Sequence, residues 1–77
     1  MEKVIEILKN AKPDMDIDFA KEDMLIDGGF LDSFDIISIV TELNDAYGIR
    51  ISVGELSPGN FNSAQAIYDL VTRLKAR

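Results

Sequence analysis

The chain predicts a small all-α fold, a four-helix bundle of three main helices and one short helix with a long first loop. Apolar residues recur at helical spacing in three stretches, Met1 to Leu8, Ile36 to Tyr47 and Ile67 to Leu74. Residues that start or stop helices, Pro13, Asp32, Gly48 and Asn62, fall at the edges of those stretches. No convincing pair of strands is present, because only one short stretch alternates. With 77 residues, residues 1–77 are expected to form a single domain, and folding at this length buries only about 60% of the unfolded chain's surface.

Met1, Val4, Ile5 and Leu8 share one helical face, and Pro13 fixes where that helix must have stopped, so the first helix runs from about Glu2 to Ala11. From Lys12 to Asp32 no period persists, but Ile17, Phe19, Leu25, Ile26, Phe30 and Leu31 are apolar anchors. They predict a loop packed down by its own side chains rather than a slack one. Asp32 stands where an N-cap belongs and Asp35 follows three residues on, so the second helix starts there and continues to about Tyr47. Gly48 supplies the left-handed residue that commonly follows a helix.

On that second helix Asp35, Ser38, Glu42 and Asp45 fall within an arc of about 80° and are expected to face water. Ile36, Ile39, Val40, Leu43 and Tyr47 cluster opposite, and Phe34 and Ile37 are expected to widen the buried side. Ile49 to Ser52, "IRIS", alternates like a short extended segment, and Ser57 to Asn60, "SPGN", reads as a turn or a single broken helical turn. A short third helix is expected near Leu56. Asn62 is expected to cap the last helix with Gln65 in capping-box position, Ile67, Leu70, Val71 and Leu74 to form its buried stripe, and Lys75 and Arg77 to suit its C-terminal dipole.

The formal charge is -6, from 14 acidic and 8 basic residues. Such a chain repels nucleic-acid backbones and anionic membrane surfaces, so the natural partner is a protein with a basic surface. The apolar residues near the start are interrupted by Glu2, Lys3, Glu6 and Lys9, unlike a signal peptide, and no later stretch approaches membrane-spanning length. With no cysteine there is neither a disulfide framework nor a thiolate metal site, and the expected setting is the cytoplasm.

Catalysis needs a base, a metal or an activated nucleophile, and the chain has no histidine and no cysteine. Asp32 and Asp35 flank Ser33, but an aspartate with an ordinary pKa of about 3.9 is a very weak base for a hydroxyl. No catalytic residue is expected, and the chain is not read as an enzyme. Asp14, Asp16 and Asp18 occupy the first, third and fifth places of a calcium loop, yet its turn glycine would fall at Phe19 and its bidentate glutamate at Leu25. The run is read as a solvated acidic loop, with no metal site. Ser33 remains. The plain reading makes it a helix cap. Asp32, however, already holds the cap position, which leaves the hydroxyl of Ser33 redundant and open to covalent modification.

These residues carry a resemblance. "LDSFDIISIVTEL" is similar to the Asp-Ser-Leu signature of acyl carrier proteins, and the acidic charge, the long loop, "DGG" before the motif and "NFNSAQAIYDLV" extend the likeness over nearly the whole chain. The resemblance implies that Ser33 carries a 4'-phosphopantetheine arm drawn from coenzyme A, making the chain a phosphoprotein whose arm thiol holds cargo as a thioester. It implies a phosphopantetheinyl transferase as one partner. Acyl- or aminoacyl-loading and transfer enzymes with basic docking surfaces would be the others, in fatty-acid, lipid or related biosynthesis, with the carrier a monomer. Asp32, Asp35, Glu42 and Asp45 are then the partner-recognition residues.

Phe34 stands where the family most often has leucine, and Ser38 and Asn44 are neutral where fatty-acid carriers are often acidic. Peptidyl carriers place a glycine pair one residue before the serine, whereas here Phe30, Leu31 and Asp32 separate Gly29 from Ser33. The stretch "GGFLDSF" looks more like the discrete, specialised carriers, including the D-alanyl type. The competing function is an unmodified acidic helical module that docks a basic protein.

Overall fold

Among the described residues, four α-helices and one 3-10 turn follow in the order α1 (Glu2–Ala11), α2 (Ser33–Tyr47), the 3-10 turn (Val53–Glu55), α3 (Pro58–Phe61) and α4 (Ala64–Lys75). The computed structural model describes residues 2–14, 17–19 and 21–76, and no strand occurs among them. Helix α1 has the bounds that its apolar spacing predicts. Its last turn closes with the Lys12 N–H donating to the Leu8 carbonyl at 3.1 Å, just before Pro13, which has no N–H to continue. Val4, Ile7 and Leu8 are buried and Ile5 packs at the edge; Met1 lies outside the described residues.

The long first loop is part of the core. Phe19, Leu25 and Leu31 are buried, and Ile17, Ile26 and Phe30 pack against the buried cluster. This connection therefore needs no regular structure: its side chains exclude water from the bundle while its backbone stays near the surface. Helix α1 packs on α2 and α4, α2 meets α4, and α3 lies against α4. Ile39 and Leu43 from α2, Phe61 from α3 and Ala64, Ile67, Leu70 and Val71 from α4 complete the core with Ile51.

Helix α2 ends as its sequence predicts. Gly48 adopts the left-handed conformation with φ 63°, and its N–H returns to the Asn44 carbonyl. Beyond it, "IRIS" forms no strand. The Ile49 N–H donates to the Asn44 backbone carbonyl at 3.2 Å and the Ile51 N–H to the Asn44 carboxamide at 3.0 Å, so one residue takes two amides that a neighbouring strand would otherwise pair. The short helix expected near Leu56 is split around that residue into the 3-10 turn and α3. Pro58 disfavours the helical conformation at Ser57, which prevents one helix from running through.

Two further expectations change. Ser63, not Asn62, caps α4, accepting the Ala66 N–H at 3.0 Å, while Gln65 bonds Asp69 instead of closing a capping box. Phe34 and Ile37 do not widen the buried side of α2: they are 82% and 58% exposed. At about 100° per residue both point well away from the Ile39 and Leu43 direction, so they leave the bundle although they are apolar. Lys75 lies 5.7 Å from the ring centre of Tyr47, fastening the end of α4 to the end of α2. Arg77 is outside the described residues. No helix among the described residues is long and apolar enough to cross a membrane.

Candidate functional site

The site grows out of the loop that delivers Ser33. Residues 24–31 close on themselves. The Gly28 N–H donates to the Met24 carbonyl at 2.6 Å, Gly29 to Ile26 at 3.1 Å and Leu31 to Leu25 at 2.9 Å. A Cβ on Gly28 would stand 2.5 Å from the Met24 carbonyl oxygen, so only glycine permits that closure. Asn62 then clasps this loop to the start of α4. Its carbonyl accepts the Leu25 N–H at 2.8 Å. Its carboxamide oxygen accepts the Ile26 and Asp27 N–H groups at 2.9 and 3.0 Å, and its NH2 donates to the Asp27 carboxylate at 3.0 Å. The chain thus reaches Asp32 from a fixed direction.

Asp32 is the N-cap of α2 and Ser33 its first residue. The Asp35 N–H donates to Asp32 Oδ1 at 2.9 Å, and the Asp32 N–H donates back to Asp35 Oδ2 at 3.0 Å, which is a complete capping box. The capping work is done by the two aspartates. The hydroxyl of Ser33 is exposed and makes no hydrogen bond with the described residues. It opens beside a shallow recess of about 200 Å³ lined by Ser33, Ile36, Ile37 and Leu56.

Asp35 is less exposed than its place on the polar arc suggests. The Lys12 ammonium reaches its Oδ2 at 2.7 Å, and the Asp35 side chain is only 16% exposed. Burial pushes the carboxyl up. The hydrogen bonds from Lys12 and within the capping box, together with the Lys12 charge, outweigh burial and hold it below the usual carboxylate range. The hydrogen bond to Asp35 likewise holds the Lys12 ammonium above its ordinary value. Ser38, Glu42 and Asp45 do face water, so the open part of the expected stripe begins one turn beyond the serine.

Sequence reasoning named Asp32, Ser33, Asp35, Glu42 and Asp45, but not the contacts that Lys12 and Asn62 make with the same region. Lys12 follows α1 directly, yet its partner lies across the bundle and no spacing rule connects the two. Asn62 does carry a signal, a capping type of residue beside a second one, Ser63, which leaves one of them free for another task. Of the acidic loop, Asp14 and Asp18 are exposed and Asp16 lies outside the described residues. Among the described residues no group of three acidic side chains is placed to hold a metal ion.

The chain is 34% identical over 73 residues to the D-alanyl carrier proteins of Streptococcus sanguinis, Streptococcus gordonii and Streptococcus thermophilus, an overlap of 95% of this chain and 91% of each of theirs. No family model and no solved structure matches it. An all-helical bundle that presents a serine hydroxyl at the head of its central helix, in a chain aligned with those proteins over almost its whole length, belongs to the carrier protein family that contains the D-alanyl carrier proteins.

Proposed function

We propose that the chain is an aminoacyl carrier of the D-alanyl type, with a 4'-phosphopantetheine arm joined to Ser33 through a phosphodiester. The observation that carries this reading is the exposed hydroxyl at the first position of α2, left without a hydrogen bond to the described residues while Asp32 and Asp35 cap the helix between them. The residues fit the group. The hydroxyl is accessible on one side, and a phosphate joined to it would meet the positive end of the α2 dipole. The recess formed by Ile36, Ile37 and Leu56 offers apolar surface at the root of the arm. When bound, the arm supplies the thiol that holds the cargo as a thioester.

This chain's own residues position and present. The closed loop and the Asn62 clasp fix the approach to Ser33, and the capping box sets the first turn of α2. Glu42 and Asp45 are exposed charges on the same helix, suited to steering a basic enzyme surface toward the serine, and Asp32 and Asp35 stand directly beside it. The transferase that installs the arm and the enzymes that load and discharge it perform the chemistry. A chain without cysteine fits work in the cytoplasm. The D-alanyl cargo rests on the names of the relatives and on the spacing "GGFLDSF".

Incubation with coenzyme A and a phosphopantetheinyl transferase should raise the intact mass by one arm, and fragmentation should locate it on Ser33. Ser33→Ala should fold as the wild type does, since Asp32 holds the cap, with any loss below about 0.5–2 kcal/mol, and should gain no mass. The protein bearing the arm should then take D-alanine from an aminoacyl-loading enzyme that serves D-alanyl carriers. A serine left unmodified while a control carrier is loaded would favour the unmodified docking module. Loading of the arm followed by refusal of D-alanine would leave the carrier reading and remove the cargo.

A further inference from the structure

Of the two carboxylates beside Ser33, Asp35 is already occupied from within. Asp35 Oδ2 receives both the Asp32 N–H at 3.0 Å and the Lys12 ammonium at 2.7 Å, and the carboxylate is 16% exposed. Lys12 is 28% exposed, so its ammonium can be reached by an approaching surface. It stands after the last residue of α1 and joins that end of the molecule to the head of α2. No hydrogen bond or ion pair joins Glu42 or Asp45 to a described residue, so those two carboxylates keep their full charge toward solvent. The acidic arc is thus divided: two charges are open to a partner, and the one nearest the serine is neutralised.

We propose that Lys12 is a specificity-determining residue for docking, an internal counter-ion that withholds Asp35 from basic partners until they displace it. The inference rests on the carrier reading and deepens it. A partner that approaches Ser33 with a cation meets Lys12 as a competitor of the same sign, in contact with the carboxylate it seeks. Release of Asp35 then requires the incoming cation to replace both the ion pair and the hydrogen bond. Partners that bind mainly through Glu42 and Asp45 escape this competition. The Lys12 pair therefore discriminates among basic surfaces by where they place their charge, an exclusion built from repulsion rather than a gain in attraction.

The experiment measures loading of Ser33 by a phosphopantetheinyl transferase at low salt, with the carrier as the varied substrate. Lys12→Gln should lower KM for the carrier roughly threefold or more with kcat unchanged, as expected when an association step gains charge complementarity. Lys9→Gln removes an equal charge from the exposed last turn of α1 and should lower KM less. Lys12→Arg, which keeps the pair, should match the wild type. In an Asp35→Asn background the Lys12→Gln change should lose its effect. Equal KM values for Lys12→Gln and Lys9→Gln would overturn the proposal, as would an effect that survives Asp35→Asn. A raised KM or an unfolded Lys12→Gln chain would make Lys12 a brace and not a counter-ion. A wild-type chain that accepts no arm would overturn the carrier reading itself, an outcome distinct from normal loading that is indifferent to Lys12.

Discussion

Asn62 gives the sharpest test of how the serine is positioned. Asn62→Ala deletes three hydrogen bonds, from the Ile26 and Asp27 N–H groups to the carboxamide oxygen and from its NH2 to the Asp27 carboxylate, and keeps the backbone bond from Leu25. A protein hydrogen bond is worth about 0.5–1.5 kcal/mol net. Two of the three are exposed and regain water when broken, whereas the Ile26 N–H is partly buried. The summed loss is therefore about 1–3 kcal/mol, against a total of about 4–12 kcal/mol for a chain of this length. Urea unfolding followed by far-ultraviolet circular dichroism should show the lower midpoint, and native-state hydrogen exchange should show the Ile26 and Asp27 amides released ahead of those in α1. Asn62→Asp keeps the acceptor but sets a carboxylate about 3 Å from that of Asp27, where the wild-type bond is 3.0 Å. It should be destabilising at neutral pH and recover on addition of Asp27→Asn. An unchanged midpoint together with unchanged exchange at Ile26 would refute the clasp.

Leu43 is fully buried on α2, so Leu43→Ala should cost about 2–5 kcal/mol in denaturant unfolding; a change within error would mean that α2 buries another face. Gly48 has φ 63° with open space where a Cβ would stand, so Gly48→Ala should cost roughly 1–2 kcal/mol from backbone strain alone, with Gly48→Asn milder. Asp35 has a folded pKa below its unfolded value, so its contribution is complete above the ordinary carboxylate range and is lost as pH falls through the lower folded value. Lys12 is raised, so its contribution is present below its ordinary value and lost as pH rises through the higher folded one. Stability measured against pH should show both limbs, and both should be reduced in Lys12→Gln.

Local chemistry was legible where a few neighbouring residues decide the outcome. Pro13 stops α1 whatever surrounds it, Asp32 and Asp35 close a capping box within four residues, and Gly48 ends α2 because other residues resist a positive φ. The packed character of the long loop was legible too, since Phe19, Leu25 and Leu31 are too apolar to be left in water. The exchange between Asn62 and Ser63 was less so. Both residues can cap a helix, and the choice between them depends on which is closer to unpaired amides elsewhere, here those of Ile26 and Asp27. "IRIS" stays outside any helix, and its alternation shows which side chains are buried, while the Asn44 carboxamide claims an amide that a strand would need.

Charge was the least legible property, because a helical arc orders side chains around one axis and says nothing about what crosses from another. Asp35, Glu42 and Asp45 look equivalent on that arc. In the folded chain Lys12 separates them, turning one acid into part of the frame that sets Ser33 and leaving two free. The capping box beside that contact accounts for the hydroxyl. A serine at a helix start ordinarily accepts a backbone N–H. Here Asp32 does so, and Asp35 returns a bond to the Asp32 amide. The ion pair that restrains recognition at Asp35 thus sits beside a capping box that the two aspartates close between themselves, so weakening the pair frees Asp35 for basic partners and leaves the serine hydroxyl as open as before.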